Sequence, residues 1–171
     1  MDVHGGRTHS AVLVPLVPAE HGLYTVFTRR REDLRRHPGE ISFPGGRRDE
    51  GETLVETALR EAHEEIGLAP AAVDVLGALA PVGTFVTNYA IYPFVGLIAP
   101  QPWAVHEAEV AEVLELGLDE LVAGHSLQRL VRRGMAFKSD VYEVAGHTVW
   151  GATARILADL LNRLEGVRSP H

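Results

Sequence analysis

Short apolar, β-branched stretches separated by polar turns open the chain. Residues 11–17 and 22–28 form two of them, split by Pro18, Ala19, Glu20 and His21, and predict two strands joined by a turn. The period then changes. Leu54, Val55, Ala58, Leu59, Ala62 and Ile66 recur at helical spacing and gather into one apolar stripe. Thr53 with Glu56 three residues on predicts a capping box at the start of that helix. Gly67 fits the left-handed residue after its last turn, and Leu68 the apolar contact beyond. Residues 73–79 and 90–98 predict further strands, and 118–123 a short helix stopped by Gly124. Residues 141–144 and 147–150 predict a hairpin around Ala145 and Gly146. Ile156, Leu157, Leu160, Leu161 and Leu164 predict a closing amphipathic helix. With no repeat and no low-complexity linker, interspersed helices and strands imply a layered α/β sandwich. Pattern alone leaves the strand order open.

The polar side of the 54–66 helix carries the candidate chemistry. At about 100° per residue, Glu61, Glu64 and Glu65 share an arc of roughly 100°, with Glu65 at the edge of the apolar stripe. Like charges this close repel, and a carboxylate near the core loses hydration. A bound cation is the simplest compensation, and Mg²⁺ and Mn²⁺ suit all-oxygen sites that keep water and phosphate oxygens in their shell. Arg60 can pair with Glu56 and Glu64, each four residues away. A solvated acidic face is the ordinary reading of such a helix. It does not explain Gly46, Glu52, Arg60 and Gly67 at fixed spacing.

Residues 46–68, GRRDEGETLVETALREAHEEIGL, resemble the Nudix box, the signature of the Nudix hydrolases. The match falls on Gly46, Glu52, Arg60, Glu61, Glu64, Glu65, Gly67 and Leu68. Ala62 departs, standing where the family usually has a larger aliphatic residue. The resemblance implies a Nudix-type α/β/α sandwich with a mixed sheet between helices, and cleavage of diphosphates linked to another moiety with divalent metal ions. It implies Glu61 and Glu65 as metal ligands, Glu64 joining when more than one ion binds, and the Gly45 carbonyl completing the shell. Arg60 and Glu52 would orient those ligands. Glu61 or Glu64 competes with a Glu from a later loop as proton acceptor.

Composition narrows the class. A chain of 171 residues is one domain by length, 1–171, and its 46% hydrophobic and 23% charged content is ordinary for a globular protein. No 18-residue apolar run is present, so no membrane span and no membrane partner are expected. The first ten residues lack a signal-peptide pattern, and the final Arg168-Ser169-Pro170-His171 is not a peroxisomal address, so the cytoplasm is the expected compartment. With no Cys there is no disulfide, thiol nucleophile or cysteine zinc site. A net charge of −7 fits nucleic acid poorly.

Yet Arg29, Arg30, Arg31, Arg35, Arg36, Arg47 and Arg48 crowd into twenty positions and supply seven of sixteen basic residues. Arginine forks bind phosphate in a bidentate way, so either a substrate with phosphate beyond the diphosphate or a solvated basic loop is implied. Thr28, Arg30, Arg35, Gly39, Phe43, Pro44, Gly45 and Gly46 resemble the motif upstream of the box in coenzyme A pyrophosphatases. Val26-Phe27 and Arg31 depart from it. Residues 149–157, VWGATARIL, also resemble that subgroup. The resemblance implies coenzyme A as substrate, cut to 3′,5′-ADP and 4′-phosphopantetheine, with Arg30, Arg31, Arg35, Arg36 and Gly46 as substrate contacts. Coenzyme A's 3′-phosphate would give the extra arginines a partner.

Other readings fit less well. Gln101-Pro102-Trp103 is similar to the start of the NADH pyrophosphatase motif, but Ala104-Val105-His106 breaks it. Pro81 and Tyr89 resemble markers of ADP-ribose and dinucleoside-polyphosphate hydrolases without clean spacing. A Nudix-fold binding protein would be favoured by loss of box carboxylates, and none is lost. Glu107, Glu109 and Glu112 read as a loop or strand edge after the sheet, and each is more readily a solvated acid than a base or ligand. The nine His show no ligand spacing, and His63 is expected to face solvent. Trp103 and Trp150 read as packing residues. Whether the chain forms a homodimer is left open.

Overall fold

The computed structural model describes residues 8–83, 88–132 and 134–168. The first seven and last three residues, read above for targeting signals, lie outside the described residues. The elements run β1 (Thr8–Ala19), β2 (Gly22–Arg30), β3 (Ile41–Ser42), β4 (Gly45–Arg47), α1 (Leu54–Ile66), β5 (Asp74–Ala78), β6 (Val82–Gly83) and β7 (Tyr89–Leu97). They continue with β8 (Val110–Gly117), α2 (Leu118–Ala123), β9 (His125–Arg132), β10 (Met135–Val144), β11 (His147–Val149) and α3 (Gly151–Arg168).

Eight strands form one sheet in the order β3-β2-β1-β7-β5, with β4 on β1, β6 on β7 and β8 on β2. β1 and β7 are parallel while β1 and β2 are antiparallel, so the sheet is mixed. Alternation along β1 sorts the core. Ala11, Leu13 and Val17 pack with Ala58, Ala62 and Ile66 of α1, whereas Val14 and Leu16 pack with Leu118 of α2 and Leu157 of α3. β1 is therefore covered on both faces, which is why it reads as a continuous apolar run rather than an alternating one. Helices on both faces of a mixed sheet are the α/β/α arrangement expected.

A second, antiparallel sheet, β11-β10-β9, carries the expected hairpin. Its turn residues Ala145 and Gly146 both have positive φ, 51° and 81°, as a tight two-residue hairpin turn requires. The short helix at Leu118–Ala123 forms as expected. Five strands were not expected: the short β3, β4 and β6, and two longer ones, β8 and β9. β8 pairs with β2 along its length, so Glu112 belongs to the sheet, and Glu107 and Glu109 precede it in a loop. Glu112 and Glu115, interleaved with the apolar residues, disguise that strand. β9 shows no buried face, so hydrophobic pattern does not mark it.

Candidate active site

Helix α1 presents the acidic face. Its capping box forms as expected, Thr53 accepting from the Glu56 N–H and Glu56 from the Thr53 N–H. Its end closes on Gly67, left-handed at φ 72°, and Leu68 is fully buried beyond it. Those ends fix the rotation of the helix, which buries Ala58, Ala62 and Ile66 and brings Glu65 to 9% exposure. His63 is exposed.

Four carboxylates and one imidazole line a pocket of about 340 Å³: Glu61, Glu64, Glu65, His106 and Glu109. His106 and Glu109 come from the loop between β7 and β8. That loop is held because its backbone completes α1: the Ala104 and His106 N–H groups donate to the Ile66 and Glu65 carbonyls at 3.0 and 2.9 Å. The last carbonyls of a helix need such partners. Trp103 anchors the same loop, its Nε1 donating to Glu115 at 2.8 Å, in keeping with a packing role. Of the three later glutamates, read from the sequence as solvated acids, Glu109 lines the pocket; sequence spacing does not single out His106, because some forty positions separate it from the box and only the fold joins them.

The electrostatics are those of carboxylates crowded out of water. Burial, then the charge of Glu61, pushes Glu65 up to about 8, against a backbone hydrogen bond from Gly45 that pulls it down. Burial also raises Glu61, with Arg60 opposing and Glu64 and Glu109 adding to the shift. The Gly45 N–H donates to Glu65 Oε2 at 2.9 Å. Gly46 leaves room for its neighbour: a Cβ there would lie 2.6 Å from the Glu61 carboxylate.

Arg60 is the hub beside this cluster. Its Nε donates to Glu52 at 2.7 Å, and its Nη1 to Glu61 and Glu64 at 3.0 and 3.2 Å. Of the two partners expected from helical spacing, Glu64 is found. Glu56 is replaced by Glu52 and Glu61, because the Glu56 carboxylate is used in the capping box. Glu52 also accepts from Thr57 at 2.6 Å and from the Asp49 N–H at 3.1 Å. The Arg60 hydrogen bonds, followed by that from Thr57, hold its carboxyl down at about 2.

Carboxylate oxygens gathered in one pocket, two of them, on Glu61 and Glu65, with raised proton affinity, fit a divalent cation. Among the described residues, no three such side chains converge closely enough to form a ready cage.

The arginines divide. Arg29 pairs with Glu112 at 2.7 Å. Arg31 is clamped, its guanidinium on Asp33 at 2.6 Å and its Nη1 donating to the Glu107 carbonyl at 3.0 Å. Its backbone N–H donates to the Glu109 carbonyl, so residue 31 ties the arginine loop to the acidic one. A register shift between Arg29 and Arg30 re-aims the chain there. The Arg30 charge is felt at Glu65, while its Nε donates to the Arg36 carbonyl at 3.2 Å. Arg35 and Arg36 are exposed and make no ion pair among the described residues. In the later motif, Arg155 donates to the Gly83 carbonyl at 3.2 Å.

The NUDIX domain family matches residues 7–134. The chain is 40% identical over 160 residues to a protein of Enterobacter sp. (strain 638) described as an uncharacterized Nudix hydrolase, NudL, covering 90% of this chain and 81% of that one. The NudL of Cronobacter sakazakii is 42% identical over an equal span and share. Among solved structures, a C. elegans Ap4A hydrolase binary complex overlays with a TM-score of 0.64 at 13% identity, covering 93% of this chain and 98% of that one. The NUDIX domain of Shewanella oneidensis NrtR complexed with ADP ribose overlays with a TM-score of 0.63 at 16% identity, covering 93% and 89%. At such identities the likeness is one of fold.

Proposed function

Because the chain belongs to the Nudix hydrolase family, whose members are pyrophosphohydrolases of nucleoside diphosphate derivatives, we propose that its substrate is coenzyme A, cleaved to 3′,5′-ADP and 4′-phosphopantetheine. The observation that carries this reading is the position of Arg30. It occupies a coenzyme A motif position next to Arg31, whose backbone N–H donates to the carbonyl of the pocket residue Glu109 at 3.0 Å, so the arginine loop is tied to the loop that shares a pocket with the helix carboxylates.

Glu61 and Glu65 would hold a divalent ion, Mg²⁺ or Mn²⁺, with Glu64 joining for a second; bound there, the ion neutralises diphosphate oxygens and makes water more acidic. Arg60 and Glu52 act as positioning residues, because Arg60 touches Glu61 and Glu64 and is itself fixed by Glu52. Glu109, in the same pocket, is the loop carboxylate that competes with Glu61 and Glu64 for the proton of the attacking water. Arg30, Arg35 and Arg36 carry the extra positive charge that a 3′-phosphate would meet.

The likeness to an Ap4A hydrolase and to a domain holding ADP ribose makes dinucleoside polyphosphates and ADP-ribose the competing substrates. A panel of coenzyme A, NADH, ADP-ribose and a dinucleoside polyphosphate, assayed with Mg²⁺ and with Mn²⁺ and resolved by chromatography, tests the proposal. Highest kcat/KM on coenzyme A is expected. A higher value on any competitor overturns the substrate and leaves the reaction class standing.

A further inference from the structure

The β9–β10 ribbon contributes nothing to the acidic pocket, yet it carries an exposed surface of its own, apolar and basic. From Leu121 to Ser139 the sequence holds four cations, Arg129, Arg132, Arg133 and Lys138, and no acid, in a chain of net charge −7. Its strands expose large apolar side chains: Leu127 70%, Val131 71%, Met135 70% and Phe137 37%.

Register sets where these side chains lie. Leu127, Arg129 and Val131 pair with Asp140, Lys138 and Ala136 and share one face. Met135 and Phe137 pair with Arg132 and Leu130 and share the other. The ribbon's outer half therefore exposes apolar side chains on both faces. Arg129 and Lys138 stand directly opposite one another. Both are exposed, and neither has an ion-pair partner among the described residues. Like charges directly opposite destabilise a strand pair, so this arrangement does not serve the ribbon's own stability.

We propose that the β9–β10 ribbon is a peripheral docking element for an anionic lipid bilayer surface, with Leu127, Val131, Met135 and Phe137 entering the headgroup layer and Arg129 and Lys138 meeting lipid phosphates. The two-faced exposure favours this occupant. A medium that surrounds the ribbon satisfies both faces at once, and the run of cations without an acid from Leu121 to Ser139 complements an anionic headgroup layer. A second copy of the chain is a poor fit, because a self-complementary contact sets the same patch against itself and here would bring cations onto cations. The expectation of no membrane partner rested on the missing span. No helix among the described residues is long and apolar enough to cross a membrane, and an interfacial ribbon needs none.

The test is co-sedimentation of the full chain with vesicles of phosphatidylcholine alone and with vesicles that also contain phosphatidylglycerol. Binding to the anionic vesicles only, weakening as salt is raised, is expected. Arg129→Glu with Lys138→Glu should lower the partition coefficient by at least about thirty-fold. Val131→Ser with Met135→Ser should lower it independently by about five-fold or more. All four positions are exposed, so hydrolysis of a soluble substrate and the melting temperature should not change. No binding to anionic vesicles, equal binding to both kinds, or binding indifferent to both double variants overturns the proposal. A dimer seen by sedimentation velocity and lost in Val131→Ser/Met135→Ser, without vesicle binding, assigns the ribbon to a second copy and overturns it equally.

Discussion

The backbone N–H of Gly45 meets Oε2 of Glu65 at 2.9 Å, joining the strand before the acidic helix to a carboxyl that burial has pushed up to about 8. Two opposed effects act on one side chain. The hydrogen bond favours the charged carboxylate, while lost hydration and the neighbouring Glu61 disfavour it more.

That imbalance predicts a separation of stability from activity. A carboxyl whose pKa rises on folding, here from an ordinary 4.5 to about 8, opposes folding once it must ionise. The metal-free protein should be most stable below about pH 4.5 on this account, lose stability as pH rises towards 8, and lose no more beyond. Glu65→Gln keeps the shape and removes the charge. Metal-free, the variant should melt several degrees above wild type at pH 8 and match it at pH 4. With saturating Mg²⁺ its kcat should fall by at least ~100-fold, about 2.7 kcal/mol of barrier. Activity within a few-fold of wild type would remove Glu65 from the metal site.

The two adjacent glycines should fail in different ways. A Cβ on Gly45 would collide with the Ala11 carbonyl oxygen, which is sheet backbone and cannot move aside. Gly45→Ala should cost about 1–3 kcal/mol of stability, read by chemical denaturation. A Cβ on Gly46 would meet the flexible end of Glu61 at 2.6 Å. Gly46→Ala should leave the unfolding midpoint nearly unchanged, yet lower kcat by about ten-fold or more, since a misplaced ligand of this kind costs that much. Equal thermal losses in both variants would contradict the account.

Helix α1 was legible to the residue because every device that defines it is local. Thr53, Glu56 and Gly67 mark its ends, and the 3.6-residue period marks its buried side. The three helix carboxylates that face the pocket, Glu61, Glu64 and Glu65, follow from that rotation alone. β8 and the loop before it were not legible, since Glu109 and His106 reach the site only through pairing of β8 with β2 and capping of α1 by residues 104–106. The partners of Arg60 illustrate the same boundary. Spacing finds Glu64, four residues on, but Glu52 reaches Arg60 through a turn outside the helix. β9 escapes for the opposite reason: Leu127 and Val131 are exposed and Leu130 only half-buried, so no buried periodicity exists to read.

Acid should loosen the hub before it unfolds the core. Glu52 is held at about 2, well below its ordinary 4.5, chiefly by Arg60 and next by Thr57. A depressed carboxyl contributes stability that is present above the unfolded pKa and is lost as pH falls towards the folded one. Stability should therefore drop between about pH 4.5 and 2, and Glu52→Gln should flatten that part of the curve. At neutral pH the same variant should lower kcat with KM little changed, because Arg60 would lose its fixed partner while the diphosphate contacts stay. A pH–stability profile that is identical for variant and wild type would show the pair to be incidental.

The arginine loop offers the sharpest test of substrate, because its members differ in how they are held. Arg31 is committed to Asp33 and to the Glu107 carbonyl, so Arg31→Ala should slacken the acidic loop and cost activity equally on every substrate. Arg30 and Arg35 fall on motif positions, and Arg35 is exposed with no ion pair among the described residues. If one of them reads the 3′-phosphate, wild type should cleave coenzyme A far better than 3′-dephospho-coenzyme A. Replacing that residue by Ala should then cost coenzyme A about ten- to a hundred-fold in kcat/KM and the dephospho form little, since an Arg–phosphate contact is worth roughly 1.5–3 kcal/mol. Equal losses on both substrates for Arg30→Ala and Arg35→Ala alike would place these side chains on the diphosphate or the loop instead. The comparison with Arg31→Ala separates a phosphate reader from a loop clamp, because only a reader makes its loss depend on the 3′-phosphate.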